Sequence, residues 1–377
     1  TAANTIGLNI SQAMTAAGSI GLTGESTNAS PGVGLNIGAE VKTTNNNSTT
    51  TLTSTTGAVS GTGKITTAVG NTGSITINTA ATGALSGVIS GGGSLIKQGS
   101  GTTSLTATNT YTGTTTISAG TLQIGNGGTS GALGTGVITD NAALVFNRTD
   151  AALVVGAKIS GTGTVTQAGT GTTTLSANND WSGTTTISAG TLQIGNGGTT
   201  GTLGTSTSVT SNGTLAFKRS DNISVGQKIT GTGGLTQAGT GKVTLMDSAS
   251  LNGVNDYSGV TTVVGGATLE VGNGGTSGNL GSGTITDNGS LIINRSDAVA
   301  ITTVISGTGS LSQSGLGTTT LSGTNTYNGG SNINAGVLLV NSSSALGSSG
   351  VLSFGGGTLQ YSASNTSDYS ARISTAA

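Results

Sequence analysis

The sequence predicts an all-β protein, a right-handed parallel β-helix built of repeats of about 70 residues, each about three coils long. The first observation is repetition, because the stretch GTTTISAGTLQIGNGGT at Gly113–Thr129 returns letter for letter at Gly183–Thr199. The second is a set of short runs in which Thr or Ser alternates with Leu, Ile or Val, the period of a half-buried strand. The third is the lack of an apolar stripe at helical spacing in a chain with glycine every few residues. Helix content is therefore predicted to be close to nil.

The repeat occurs four times. Weaker copies stand at Gly259–Thr276 and Gly329–Asn341, and an aromatic residue precedes every copy. These aromatics are Tyr111, Trp181, Tyr257 and Tyr327, at intervals of 70, 76 and 70 residues. The longer middle interval comes from an insertion around residues 250–255, which a surface turn can accommodate without loss of register.

Many short strands fit either an antiparallel sandwich or a parallel β-helix. In a sandwich, nothing requires a residue to recur after a fixed long interval with the same turn. In a parallel β-helix, each strand stacks on its counterpart one coil on, about 4.8 Å away, so that like residues stack on like. The fixed period favours the β-helix, and the general rule for parallel crossovers favours the right hand.

Three regions follow in order along the chain. Residues 1–88 are predicted to be degenerate coils of the same structure or an N-terminal cap, because terminal repeats are commonly atypical. The tract Asn45–Thr56 within them is predicted to be a protruding loop or a weak edge strand. Residues 89–346 are predicted to be the repeat β-helix, and 347–377 a C-terminal β coil and assembly segment. In the repeats, Leu122, Ile124, Leu192 and Ile194 are predicted core positions.

Composition narrows the possible partners. Net charge is −1 and charged residues make up only 6% of the chain, so no basic stripe exists for nucleic acid. No apolar run approaches the ~20 residues that a membrane span needs. The chain starts with TAANTIGLNI and ends at Ala377, and we expect it to be a trimmed piece of a longer secreted precursor. It has no cysteine, which is compatible with export.

Few side chains are suited to catalysis. Histidine and cysteine are both absent, which removes His-based triads, thiol nucleophiles and ordinary zinc sites. The twelve acidic residues are scattered, although strands on neighbouring coils could bring two of them together. We therefore predict no catalytic residue, no cofactor and no metal site, and keep a carbohydrate-active β-helix enzyme as the alternative function.

Two recurring features are candidate surface or ligand positions. One is an Arg-Ser/Thr-Asp triplet, which is interpreted either as a charged stripe for a partner or as an ion pair on a turn; the turn is favoured because copies on separate coils lie too far apart to pair. The other is the repeated aromatic, which is either exposed to stack on sugar rings or buried at a corner of the core; burial is favoured. The candidates are Arg148, Asp150, Arg219, Asp221, Arg295 and Asp297, with Tyr111, Trp181, Tyr257 and Tyr327.

Residues Thr166–Asn196 (TQAGTGTTTLSANNDWSGTTTISAGTLQIGN) and Ser312–Asn341 (SQSGLGTTTLSGTNTYNGGSNINAGVLLVN) resemble the autotransporter-associated β-strand repeat. The resemblance covers Ile89 to about Leu346 in four copies, and the family's lysine is kept only as Lys97, with Gln at positions 167, 237 and 313. It implies a parallel β-helical passenger of a bacterial surface or secreted protein, often an adhesin.

These observations together predict a non-enzymatic extracellular structural or adhesive protein at the bacterial surface, a stiff rod or a self-associating fibre. Its partners would be further copies of itself, arranged head to tail or laterally, or a host or matrix surface. The strand-like stretch Val351–Ile373 is the segment expected to dock against another copy, or against more of the same polypeptide.

Overall fold

The computed structural model describes residues 6–26, 32–70, 72–151, 153–205, 208–246 and 255–374. The chain divides into two compact units, residues 1–191 with 202–206 and residues 192–201 with 207–377. In the described ranges both units consist of short strands, and the one helical element is a single 3₁₀ turn at Ser370–Arg372. The predicted all-β class and the near absence of helix are confirmed.

The first unit contains 22 strands among its described residues. They are β1 Leu8–Ile10, β2 Met14–Ala16, β3 Ile20–Thr23, β4 Val33–Ile37, β5 Val41–Thr43, β6 Thr50–Ser54, β7 Ala58–Ser60, β8 Ile65–Thr66, β9 Ser74–Thr79, β10 Gly83–Leu85, β11 Ile89–Ser90, β12 Ser94–Gln98, β13 Thr102–Leu105, β14 Thr115–Ile117, β15 Thr121–Gly128, β16 Ile138–Asp140, β17 Ala143–Arg148, β18 Leu153–Val155, β19 Ile159–Ser160, β20 Thr164–Gln167, β21 Thr172–Leu175 and β22 Thr185–Ile187.

The second unit also consists of short strands, and the first of them, β23, begins at Thr191, a residue assigned to the first unit. Its strands are β23 Thr191–Ile194, β24 Ser208–Ser211, β25 Thr214–Phe217, β26 Ile223–Val225, β27 Lys228–Thr230, β28 Gly234–Gln237, β29 Lys242–Leu245, β30 Thr261–Val263, β31 Thr268–Val271, β32 Ile285–Asp287, β33 Ser290–Ile293, β34 Val299–Ile301, β35 Ile305–Ser306, β36 Ser310–Gln313, β37 Thr318–Leu321, β38 Ser331–Ile333, β39 Val337–Val340, β40 Leu352–Phe354 and β41 Thr358–Tyr361.

Strands pair with their counterparts one coil away, in parallel and in register. In the first unit, Leu95 of β12 pairs with Thr115 of β14, which pairs with Ile138 of β16, which pairs with Ile159 of β19. In the second unit, β31, β33, β36 and β38 form the same kind of ladder. This is the stacking of a parallel β-solenoid, as the fixed period predicted. The hand of the solenoid stays a prediction.

A repeat is slightly longer than three coils, and this moves each copy to a new wall. Following the ladder from Leu95 through three coils leads to Ile159 of β19. The residue equivalent to Leu95 in the next sequence repeat is instead Val165, which lies on the following strand, β20. In the first unit, the equivalent strands β12 and β20 therefore belong to different ladders, β9-β12-β14 and β17-β20-β22. In the second unit, β28 and β36 are separated in the same way. Within a unit, equivalent residues consequently do not form a stripe along one wall.

The core lies between the walls and is filled by every second residue of each strand. Leu122, Ile124, Leu192 and Ile194 are all 0% exposed, which confirms the predicted core face. Removing a leucine side chain from water contributes on the order of 2 kcal/mol, and each coil supplies several such residues.

The tract Asn45–Thr56 differs from its prediction. Its second half forms β6, which pairs with β3 on one side and β9 on the other, so it is not an edge strand. Thr50, Leu52 and Ser54 point inward and are fully buried. The alternation of inward and outward residues in TTLTS indicates a strand within a sheet. The preceding run of asparagines, which forms an exposed turn, made the whole tract resemble a loop.

Candidate functional site: supported loops and aromatic corners

Each of the first three repeats ends in an exposed glycine-rich loop, called here a supported loop. The three supported loops are residues 125–131, 195–201 and 272–278. The first overlaps the end of β15, where Gly128 pairs with Arg148 after a register shift. Gly125 and Gly127 of the first loop both have φ of +80°, in the left-handed region that favours glycine. The residues between Gly125 and Gly131 are exposed to solvent.

An arginine from the next coil supports the first loop. The guanidinium of Arg148 donates to the carbonyl oxygens of Gly131 at 2.5 Å and Thr129 at 2.6 Å. Its other face makes a two-pronged contact with Asp150, Nε to Oδ1 at 2.9 Å and Nη2 to Oδ2 at 2.6 Å. A Cβ at Gly125 would lie 2.6 Å from Arg148 Cγ, so glycine is required where the arginine chain crosses. The loop and the triplet are one structure.

The second and third loops repeat this arrangement in the second unit. Arg219 donates to the carbonyl oxygens of Gly201 and Thr199 and makes two hydrogen bonds to the carboxylate of Asp221. Arg295 makes the same contacts with Gly278, Thr276 and Asp297. The hydrogen bond from each arginine holds the pKa of Asp221 and of Asp297 below its ordinary value. The charged groups of these triplets therefore pair with each other and with loop carbonyls of the same chain. This favours a role in supporting the turn over a charged stripe that binds a partner.

We expect Arg219→Met to loosen the second loop without unfolding the protein. Two loop carbonyls lose their charged donor, and a hydrogen bond to a charged group contributes about 1.5–3 kcal/mol. Amide hydrogen exchange of residues 196–201 should accelerate, while the loop at 126–131 in the same molecule serves as the control. Arg219→Lys should be intermediate, because lysine keeps the charge and lacks the planar fork. Unchanged exchange in the methionine variant would refute the supporting role.

The four repeated aromatics are buried corners of the core. Tyr111, Trp181, Tyr257 and Tyr327 are each 0% exposed. Each ring's polar atom contacts a hydroxyl four residues on: Tyr111 Oη to Thr115 at 2.7 Å and Trp181 Nε1 to Thr185 at 3.3 Å in the first unit, with the two other tyrosines bonding Thr261 and Ser331 at 2.7 Å. Burial raises the pKa of Tyr327 to about 12.

A glycine covers the face of the ring in each of the first three corners. A Cβ at Gly134 would lie 2.6 Å from Tyr111 Cδ2, and Gly204 and Gly281 cover Trp181 and Tyr257 equally closely. The interpretation of the aromatics as an exposed line that stacks sugar rings is therefore wrong, and their interpretation as core corners agrees with the structure. The rings lie outside the assigned strands and are enclosed in the interior.

Sequence reasoning missed the asparagine two residues before each ring. Asn109 Oδ1 accepts from the amide of Ile89 one coil below at 2.8 Å, and its Nδ2 donates to the carbonyl of Ala132 one coil above at 2.7 Å. The equivalent residues Asn179, Asn255 and Asn325 repeat this bridge. The signal in the sequence was the recurring Asn-x-Tyr/Trp, in which only the aromatic was singled out.

The family's lysine position also has a structural role. Lys97 is buried and its Nζ donates to the carbonyls of Gln98, Gly99 and Ala119 at 2.7–3.1 Å. Burial lowers its pKa to about 8. At the equivalent position Gln167 donates to the carbonyls of Gly169 and Gly171, so an amide replaces the ammonium at the same turn.

The acidic residues of the described ranges are engaged individually. Beyond the three triplets, ion pairs join Lys158 to Asp180, Lys228 to Asp256 and Lys242 to Glu270. Among the described residues no group of three or more metal-ligating side chains converges, and no helix there is long and apolar enough to cross a membrane. Asp247, one of the twelve acids, lies outside the described residues.

One cleft of about 410 Å³ lies in the second unit, between the turn at Leu280–Ser282 and strand β34. Its floor is apolar and includes Val271, Ile285 and Ile293. Strand β34 pairs with β37 alone among the described strands, so its other edge borders the cleft. Such a cleft suits an apolar group, and it offers no cluster of charges for a metal ion or phosphate.

Comparison with known proteins identifies the repeat. Residues 95–124, 165–194, 235–271 and 311–340 match the passenger-associated-transport-repeat family, and each match begins and ends within a block of four strands, β12–β15, β20–β23, β28–β31 and β36–β39. The chain is also similar to the adhesin BmaC autotransporter of Brucella suis biovar 1 (strain 1330), with 48% identity over 88 residues. That stretch is 23% of this chain and 2% of the relative, and no solved structure matches the chain. Four segments of the chain thus match the passenger-associated-transport-repeat model, in agreement with the predicted resemblance.

Proposed function

We propose that this chain is part of a non-enzymatic extracellular β-solenoid that provides structure and adhesion at a bacterial surface. One observation carries the proposal: each of the four segments that match the passenger-associated-transport repeat coincides with a block of four consecutive strands of the solenoid. The similarity to an autotransporter adhesin supports the adhesive part, although the chain spans only 2% of that relative's length.

The supported loops are the surface proposed to make contact. They are repeated and exposed to solvent, and connecting loops on a rigid scaffold are where binding commonly resides. Their exposed residues are Gly, Asn, Ser and Thr, while the arginine and aspartate beneath are already paired. Such loops suit an uncharged, hydrogen-bonding target on a host or matrix surface.

The test uses a triple variant of the exposed loop asparagines, Asn126→Asp, Asn196→Asp and Asn273→Asp. Beads coated with the protein should adhere to cells or matrix, and the variant should adhere less because it adds three negative charges to the contact surface. The control adds the same charges at exposed turns elsewhere, Thr112→Asp, Ser182→Asp and Ser258→Asp. Equal loss of adhesion in both variants would contradict the loop assignment, and new reducing ends on incubation with polysaccharides would favour the carbohydrate-active enzyme instead.

Self-association is proposed as the second part of this function. Strand β41 pairs on one side only among the described strands, whereas the outer edge of β40 is bridged at Leu352 by Ile373. The two strands carry the half-exposed Phe354 and Tyr361. An unpaired strand edge with exposed apolar residues is a template for further strands, here those of a second copy. Sedimentation should show concentration-dependent assembly that Phe354→Asp with Tyr361→Asp abolishes; a monomer at high concentration would refute it.

A further inference from the structure

Two aspartates point into the core from the walls of the solenoid. Asp140 and Asp287 are the last residues of β16 and β32, and both are 0% exposed. Asp140 stands in an inward stack directly above Ile117 of β14. Asp287 stands in the same way above Val263 of β30. Both occupy the same position of the repeat, in the sequences ITDNAAL and ITDNGSL.

Each carboxyl has one satisfied oxygen and one without a partner. Asp140 Oδ1 accepts from the amide of Ala142 at 3.0 Å, and Asp287 Oδ1 accepts from that of Gly289 at 3.0 Å. Oδ2 of each is buried without a hydrogen bond. The glycine of the next coil packs on the carboxyl, since a Cβ at Gly163 would lie 2.4 Å from Asp140 Oδ1 and one at Gly309 would lie 2.5 Å from Asp287 Oδ1.

The surroundings of both carboxyls hold no compensating cation. On the coil below, β14 and β30 present Ile117 and Val263. One coil further down, the same stacks contain Lys97, whose ammonium bonds to backbone carbonyls, and the neutral Gln237. Above Asp140, Lys158 flanks β19, but its ammonium is outside and paired with Asp180 at 2.5 Å. The phenol of Tyr327, on a later coil, interacts electrostatically with Asp287.

We propose that Asp140 and Asp287 are proton-binding positions built into the wall, which hold a proton in the folded state in mildly acidic surroundings and make the fold more stable there than at neutral pH. An ionised carboxylate with a buried, unpartnered oxygen is costly in the interior, whereas the protonated form is neutral. A bound proton thus replaces the missing partner.

The direction of the pH dependence follows from linkage. Burial raises the pKa of both Asp140 and Asp287 to about 6, above their ordinary value of 3.8. The stabilisation is therefore complete below about pH 4 and is lost as pH rises through about 6. Between these values the folded chain holds close to one more proton at each site than the unfolded chain does.

The chain contains its own control for this proposal. The repeat between the two aspartates has Ser211 at the same position, and its hydroxyl donates to the carbonyl of Gly213 at 3.3 Å. Serine is therefore a side chain that this wall position already accommodates. Asp140→Ser with Asp287→Ser should fold, and Ser211→Asp should add a third proton-binding position.

Proton release on unfolding by denaturant tests the proposal directly. In weakly buffered solution at pH 5, the wild-type chain should release close to two more protons than the double serine variant, and Ser211→Asp about one more than the wild type. Asp140→Asn with Asp287→Asn, which is closer in size, should match the serine variant. Equal proton release from the wild type and either double variant would overturn the proposal. The proposal would also fail if neither the wild type nor the variants changed their denaturant midpoint between pH 5 and pH 7.5.

Discussion

Leu192→Asp should destabilise the protein by several kcal/mol, the largest single effect that we expect. Leu192 is 0% exposed on the inward face of β23, and an aspartate there would place an unpaired charge in the apolar interior. The midpoint of denaturant unfolding, followed by far-ultraviolet circular dichroism, should fall sharply or the variant should not fold.

Thr191→Asp is the matched control, one residue earlier on the same strand. Thr191 lies on the outward face and is partly exposed, so its change should alter stability by no more than about 0.5 kcal/mol. If both positions tolerated aspartate equally, the assignment of the strand faces would be wrong.

Trp181→Ala should cost about 3–5 kcal/mol, because it removes the largest buried side chain of its corner and leaves a cavity. Trp181→Tyr should cost less than about 1.5 kcal/mol, since the chain itself places tyrosine at the three equivalent corners. Thermal unfolding of the two variants beside the wild type provides the measurement.

The same residue reports on its own burial, because Trp181 is the single tryptophan in the sequence. Its fluorescence should be insensitive to added acrylamide in the native state and become sensitive on unfolding. Strong quenching of the native protein, or a tyrosine variant as unstable as the alanine one, would mean that the aromatic is a surface group and that the corner assignment fails.

The strands and the core were predictable because the physics that forms them is periodic. Alternation placed Leu122 and Ile124 inward, and the recurrence of whole segments indicated parallel stacking before any strand was assigned. The family resemblance and the triplet's role on a turn also followed from local sequence, since Arg148 and Asp150 are two residues apart on one turn.

The features that were missed depend on how coils meet. A sequence repeat is longer than three coils because the number of residues per coil varies from one coil to the next and is set by the turns. The bridge made by Asn109 joins residues that are far apart in sequence, and the buried orphan oxygen of Asp140 depends on which residues lie above and below it. The order of residues along the sequence does not show these contacts between coils.

The extra length of the repeat has a consequence for the candidate site. Strands β23 and β31 lead into the two supported loops of the second unit and lie on different ladders, so these loops leave the solenoid from different walls. A repeat of a whole number of coils would have placed them in one row. Within the second unit, the two supported loops are therefore not aligned on one wall, and the proposed adhesion through them does not require a particular side of that unit to face the target.

Cysteine cross-linking tests the parallel stacking most directly, because the natural chain has no cysteine. Thr116 of β14 and Thr139 of β16 are ladder partners on the outward face, at a strand spacing of about 4.8 Å that a disulfide can span. Thr116→Cys with Thr139→Cys should oxidise readily within one chain. Thr116→Cys with Thr186→Cys, which joins equivalent positions of two copies on different ladders, should not. A cross-link in the second pair and none in the first would contradict the coil-on-coil register on which the whole account rests.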